Sequence, residues 1–208
     1  RLGGNLDVSE VQEDGIATVT LASATTGILN GARTITGEAG AFAINLGKSA
    51  AGNAVAMSAK LTVSDGADNA GTTDTVTVNN TALNSTSGAN VDLANDIETT
   101  GYENLVFNTG SGSGNVPQVM PTITVNADAA ASATSFTAKG NNALSITTGL
   151  VSNTTGVFTI DASALKAQAA ATVSLDLDAV TVGTAGTITL TGSGGIDEIG
   201  VSAASPLS

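Results

Sequence analysis

Short runs in which Thr, Ser or Asn alternates with Val, Ile, Leu or Phe recur along the whole chain, and the runs are bounded by Gly, Asn, Asp or Ser. Alternation puts every second side chain on one face of an extended strand, so each run has an apolar face and a polar one. The clearest runs are Ala17–Leu21, Ala41–Leu46, Thr75–Val78, Asn104–Phe107, Thr122–Val125, Leu144–Thr147, Val157–Ile160, Val173–Leu177 and Thr187–Leu190. The branched Cβ of Thr and Val suits a pleated surface. Gly and Asn between the runs suit turns that need positive φ. The expectation is an all-β chain with little or no helix. The best helical candidate is Asp161–Ala171 (DASALKAQAAA), where Asp161 could cap a helix of about two or three turns. The same stretch reads equally well as a turn that tucks Leu165 into the core.

Aromatic content bears on the architecture. The 208 residues hold four Phe, one Tyr and no Trp, whereas a β-sandwich of about 100 residues usually buries several large aromatics. Inward Val, Ile, Leu and Ala instead suit an irregular parallel β-solenoid, with stacked β-sandwich-like units as the alternative. Strand centres near Ile123, Phe136, Ile146, Phe158, Leu175, Ile188 and Ile199 follow no strict period. Gly110–Pro121 (GSGSGNVPQVMP) reads as a linker or protruding loop, because Gly and Ser loosen the chain and Pro interrupts pairing. This divides the chain into an N-terminal β unit (1–110), the linker (111–121) and a C-terminal solenoid-like unit (122–208). A smaller break, Ser64–Asp74 (SDGADNAGTTD), lies within the first unit.

Several chemistries are excluded by what is missing. Without Cys there is no disulfide framework, thiol nucleophile or thiolate metal site, and without His no Ser-His pair or imidazole ligand. One Tyr gives no platform for stacking bases. Eighteen acidic residues against six basic ones leave a net charge of −12, which repels nucleic acid and anionic lipid and attracts hard cations, calcium above all. A hydrophobic fraction of 41% argues for folding rather than disorder. No apolar run approaches the roughly 18 residues of a membrane helix, so no membrane insertion is expected. A start at Arg1, with no charged-then-apolar leader, suggests a processed chain or a piece of a longer one.

Two segments carry the pattern of a cation site. Leu190–Gly200 (LTGSGGIDEIG) aligns with the calcium-binding nonapeptide G-G-x-G-x-D-x-U-x through Gly192, Gly195, Asp197 and the aliphatic Ile199, with Ser193 in place of the second Gly. Glycines let a tight turn present carbonyl oxygens, Asp supplies a charged oxygen, and the aliphatic residue leads into a short strand. One such copy makes half a site, because successive turns share an ion. The alternative is a Gly-rich turn with an exposed acidic pair. Asp65, Asp68 and Asp74 form the second candidate; Val76 stands where an EF-hand would place its Glu, so that loop is excluded. These three either bind calcium or form a solvated acidic loop.

Weaker patterns have simpler explanations. Asp176 and Asp178 would share one strand face about 7 Å apart, the spacing of a glycosidase acid/base pair, but a solvated face accounts for them. Thr-x-Thr pairs at Thr18–Thr20, Thr34–Thr36, Thr75–Thr77, Thr122–Thr124 and Thr187–Thr189 are too unevenly spaced to stack as one ladder. N-x-Ser/Thr triplets begin at Asn79, Asn84 and Asn153, as chance allows in such a composition.

Leu190–Ile199 resembles the turns of RTX-type, type I-secreted bacterial surface proteins, especially surface-layer (S-layer) proteins. Gly156–Leu165 (GVFTIDASAL) and Asp96–Phe107 (DIETTGYENLVF) are similar to the same group. The resemblance covers about residues 96–200 and is compositional elsewhere; the family's tandem nonapeptides are reduced here to one degenerate copy. It implies a β-rich, non-enzymatic extracellular building block at the bacterial cell surface. Such a block would assemble with copies of itself into a lattice or coat, with calcium as the bridging ion and cell-surface polysaccharide as a possible anchor. The other functions compatible with the sequence are a virion part (fibre, spike or capsid decoration), an adhesin module and a secreted glycan-cleaving enzyme.

Overall fold

A computed structural model describes residues 2–9, 17–21, 29, 31–37, 40–46, 57, 59–66, 73–80, 95–110, 118–126, 133–141, 144–152, 154, 156–165, 172–177, 187–194 and 196–201. Among these the strands are β1 (Leu6–Asp7), β2 (Thr18–Leu21), β3 (Arg33–Thr36), β4 (Ala41–Leu46), β5 (Leu61–Ser64), β6 (Thr75–Asn80), β7 (Ile97–Thr100) and β8 (Asn104–Asn108). They continue with β9 (Gln118–Asn126), β10 (Ala133–Gly140), β11 (Leu144–Ser152), β12 (Val157–Leu165), β13 (Thr172–Leu177), β14 (Thr187–Thr191) and β15 (Ile196–Val201). The fold is nearly all β.

The chain alternates between two sheets. Odd-numbered strands form one sheet in the order β1-β3-β5-β7-β9-β11-β13-β15, and even-numbered strands the other, β14-β12-β10-β8-β6-β4-β2. Every pairing among the described strands is parallel, from β1 with β3 to β13 with β15. A parallel neighbour therefore lies two strands ahead in sequence. Register partners are separated by as few as 24 residues (Leu175 and Ile199) and as many as 36 (Val63 and Thr99). The repeat is thus a pair of strands with connections of variable length, which is why successive strand centres show no period.

The apolar faces of both sheets form one core. In the even sheet Phe42, Val76, Leu105, Phe136 and Ile160 occupy one row of register partners, and Ile44, Val78, Phe107 and Ala138 the next; all are buried. The odd sheet contributes Leu61, Ile97, Ile123 and Leu150 in one row, and Ile35, Val63, Thr99, Val125 and Ser152 in another. All four Phe and the single Tyr lie in this core. Burying an aromatic or aliphatic side chain contributes about 1.5–3 kcal/mol, so the few aromatics present all serve packing.

Parallel pairing overrides local preference at Asp161–Leu165. These residues form the end of β12 rather than the start of a helix, and Asp161 Oδ1 accepts the N–H of Ser163 within the strand, at 2.9 Å. Ala162 and Leu165 are buried in the core. A register shift between Thr137 and Lys139 on β10 accommodates the longer β12.

The last four residues of Gly110–Pro121 begin β9, which pairs with β7 on one side and β11 on the other. Pro121 cannot donate a ladder hydrogen bond. It sits where β11 shifts register between Ile146 and Gly149, and it precedes the segment paired with β7. None of the five Thr-x-Thr pairs lies on a strand adjacent to another: Thr34 faces Thr62, Thr75 faces Ala41 and Asn104, and Thr187 faces Val157. No helix among the described residues is long and apolar enough to cross a membrane.

Candidate functional site

The connections that run from the odd sheet to the even sheet bring buried carboxylates together. Asp74 directly precedes β6 and Glu103 directly precedes β8. Because Thr75 pairs with Asn104, Asp74 and Glu103 are stacked neighbours at adjacent strand starts. Strand alternation explains their direction: Asp74 is two residues before buried Val76, and Glu103 two before buried Leu105, so both face the core side. Asp74 is 6% exposed and Glu103 1%. The backbone N–H of Asp74 donates to Glu103 Oε2 at 2.9 Å. Asp74 Oδ1 accepts the N–H of Gly40 at 2.6 Å, and Gly40 precedes β4 at the next stacked position, its carbonyl accepting from Thr75 N–H. The second oxygen, Asp74 Oδ2, is buried and has no hydrogen-bond partner.

Asp65 lies on the same side of the fold. It follows β5, its N–H donates to the carbonyl of Thr100, and its carboxylate is buried against Gly101. Gly101, Tyr102 and Glu103 form the whole β7–β8 connection, and all three are buried. Thus Asp65 and Asp74 are not part of a solvated acidic loop: each is placed inward by the parity of the strand beside it. Asp68 lies outside the described residues. Among the described residues, no group of three or more acidic side chains is arranged to hold a metal ion.

Basic side chains are elsewhere. No Lys, Arg or His occurs between Lys60 and Lys139. Lys60, at the start of β5, makes an ion pair with Glu98, whose other oxygen accepts from Asn126 Nδ2 at 3.0 Å. Arg33, at the start of β3, donates to the carbonyls of Gly3 and Ala32. Lys139 is at the far end of β10.

The other expected site is on the opposite set of connections, so the structure does not unite it with Asp65 and Asp74. Gly192 follows β14, and Asp197 is the second residue of β15, paired with Val173; Gly195 lies outside the described residues. Ile199 pairs with Leu175. Asp176 pairs with Gly200, and Asp178 is outside the described residues.

Sequence reasoning did not find Glu103 as a partner of Asp74, although its parity with Leu105 and Phe107 was available. It also did not find an asparagine ladder on the outer side of the even sheet. Asn79 Nδ2 donates to Asn45 Oδ1 at 2.9 Å, Asn108 Nδ2 donates to Asn79 Oδ1 at 3.1 Å, and Asn108 Oδ1 accepts Gly110 N–H. Comparison of the chain with family models, curated proteins and solved structures yields no match.

Proposed function

We propose that this chain is a structural, self-assembling extracellular protein of the S-layer type, wound as a parallel β-solenoid and built for assembly rather than catalysis. The observation that carries this reading is the topology of the sheets. Among the described residues β1 and β15 bound one sheet and β2 and β14 the other, each paired on one side only. A strand edge offers unpaired N–H and C=O groups to another chain. Unlike ends that meet repeatedly give open arrays rather than closed dimers. We read the segment from Gly192 to Asp197, between β14 and β15, as a calcium half-site that a second copy would complete. Calcium there would also offset part of the −12 charge that opposes dense packing. The partners are other copies of the chain, with cell-surface polysaccharide as the anchor and the bacterial exterior as the location.

Electron microscopy of the full-length protein with calcium, then with excess EGTA, tests the reading. Ordered arrays in calcium that disperse in EGTA are expected. Arrays unchanged by EGTA would remove the calcium bridge, and monomers under both conditions would remove the coat.

A further inference from the structure

We propose that the outer face of the even sheet binds ice, through a two-dimensional grid of small side chains that holds water in the spacing of a growing crystal. This goes beyond the assembly reading, because the occupant is frozen water rather than another copy of the chain. Register places the outward residues in rows across the strands. Thr18, Ala43, Thr77, Val106 and Thr137 form a central row. Thr75, Asn104, Ser135, Thr159 and Thr189 form the row on one side, and the ladder Asn45–Asn79–Asn108 the row on the other. All of these side chains are exposed or half-buried. Ser, Asn, Ala and Val complete the grid where Thr is missing, so no Thr ladder is legible in the sequence.

Three properties of the face fit ice. The first is spacing. Neighbours within a row are about 4.8 Å apart, and rows about 6.6 Å apart along the strands, both close to the repeats of oxygen rows on a prism face of hexagonal ice. The register is unbroken from β2 to β10. Asn79 bridges Asn45 and Asn108, and Ser135 Oγ donates to Asn104 Oδ1 at 2.7 Å; such side-chain ladders keep a many-stranded sheet flat. The second is charge. The chain has 18 acidic and six basic residues, yet the described strands of the even sheet carry only Lys139 and Asp161, and β2, β4, β6 and β8 carry none. The odd sheet carries Asp7, Arg33 and Glu98. A charged group imposes its own hydration shell, so a neutral face suits a neutral lattice. The third is chemistry. Hydroxyls and amides anchor water by hydrogen bonds, while the methyl groups of Thr, Ala and Val restrict the orientation of the water between them.

Other occupants fit less well. The grid measures roughly 30 Å by 13 Å, less than the roughly 800 Å² per partner that a stable protein–protein interface buries. It presents no aromatic or Arg anchor for a protein, and no aromatic ring on which a sugar could stack.

Partitioning into a slowly grown ice hemisphere, with protein assayed in the ice and in the liquid, tests the proposal. Wild-type protein is expected to enter the ice and to lower the freezing point of a seeded solution below its melting point. Thr77→Lys and Ala43→Lys place a charge at the centre of the grid and should abolish both effects. Thr62→Lys, on the odd sheet opposite Glu98, should leave both unchanged. Exclusion of the wild type from ice overturns the proposal, as does an equal loss in Thr62→Lys. So does a dimer in sedimentation velocity that Thr77→Lys disperses, because the face then belongs to a second copy. Binding to crystalline cellulose with exclusion from ice overturns it in favour of a polysaccharide. Where a lysine variant fails to fold, the wild-type partition decides. These readouts use dispersed protein in EGTA, so they hold or fail separately from the calcium-dependent arrays.

Discussion

The carboxylate of Asp65 occupies the space that a side chain on Gly101 would need. Gly101 also has a φ of 86°, a conformation in which a Cβ is strained. Gly101→Ala therefore meets both a backbone penalty and a buried carboxylate that must move, and we expect a loss of about 2–4 kcal/mol. Asp65→Ala in the same chain removes the obstructing group, so the double variant should lose less than the sum of the singles. Chemical denaturation of the four proteins measures this, and strict additivity would show that Asp65 does not oppose the substitution.

Asn79 both donates to Asn45 and accepts from Asn108, whereas Asn45 makes only one of these contacts. Asn79→Ala should cost about 1–2 kcal/mol, and Asn45→Ala about half as much, because partly exposed groups recover some of the loss from water. The urea midpoints of the two variants provide the comparison. Equal midpoints would mean that the ladder contributes nothing beyond strand pairing.

The strands that could be read from sequence are those whose apolar positions are large and regular, such as Phe42, Ile44 and Leu46 on β4. β7 was hidden because its four residues, Ile97–Thr100, include one aliphatic and three polar side chains, with Thr99 buried among them. Asp161–Ala171 reads equally as a helix or a turn because propensity is local, whereas the pairing of its described part, Asp161–Leu165, with β10 and β14 depends on residues far along the chain; residues 166–171 lie outside the described residues. The carboxylates of Asp65 and Asp74 fall in a Gly- and Asp-rich break that reads either as a calcium loop or as a solvated acidic loop. Their burial follows only when the alternation of β5 and β6 is continued past the strand ends. Stacking of Asp74 on Glu103 required the register, and the register was concealed by connections that change length from one repeat to the next.

Acid titration should single out two Asp-x-Ser pairs. The Ser163 hydroxyl, and after it the Ser163 backbone N–H, hold the Asp161 carboxyl below its ordinary value of 3.8. Ser9 acts in the same way on Asp7, through its hydroxyl at 2.7 Å and its N–H at 3.1 Å. The native value lies below the unfolded one, so the stabilisation is complete above about pH 3.8 and is lost as pH falls through the native value. Ser163→Ala should move Asp161 up toward 3.8 and leave Asp7 in place, as followed by carboxyl NMR shifts. The stability gap between this variant and the wild type should close at low pH. An Asp161 titration unaffected by the substitution would remove the hydroxyl as the cause.

Thr134 and Ser152 join the two sheets through a buried hydrogen bond of 2.7 Å between their hydroxyl oxygens. Thr134 belongs to β10 and Ser152 to β11, and each is 2% exposed. Ser152 Oγ also accepts the N–H of Thr154 at 3.3 Å. Removing one hydroxyl leaves its partner buried, at a cost of about 1–3 kcal/mol, whereas replacing both with apolar groups removes the pair together. Ser152→Ala should be the more damaging single change, because it also orphans the Thr154 N–H. Thr134→Val combined with Ser152→Ala should be less damaging than the sum of the two by about 1 kcal/mol. Urea unfolding of the full cycle measures the difference. A coupling near zero would mean that water already serves both hydroxyls, and that this buried polar pair does not tie β10 to β11.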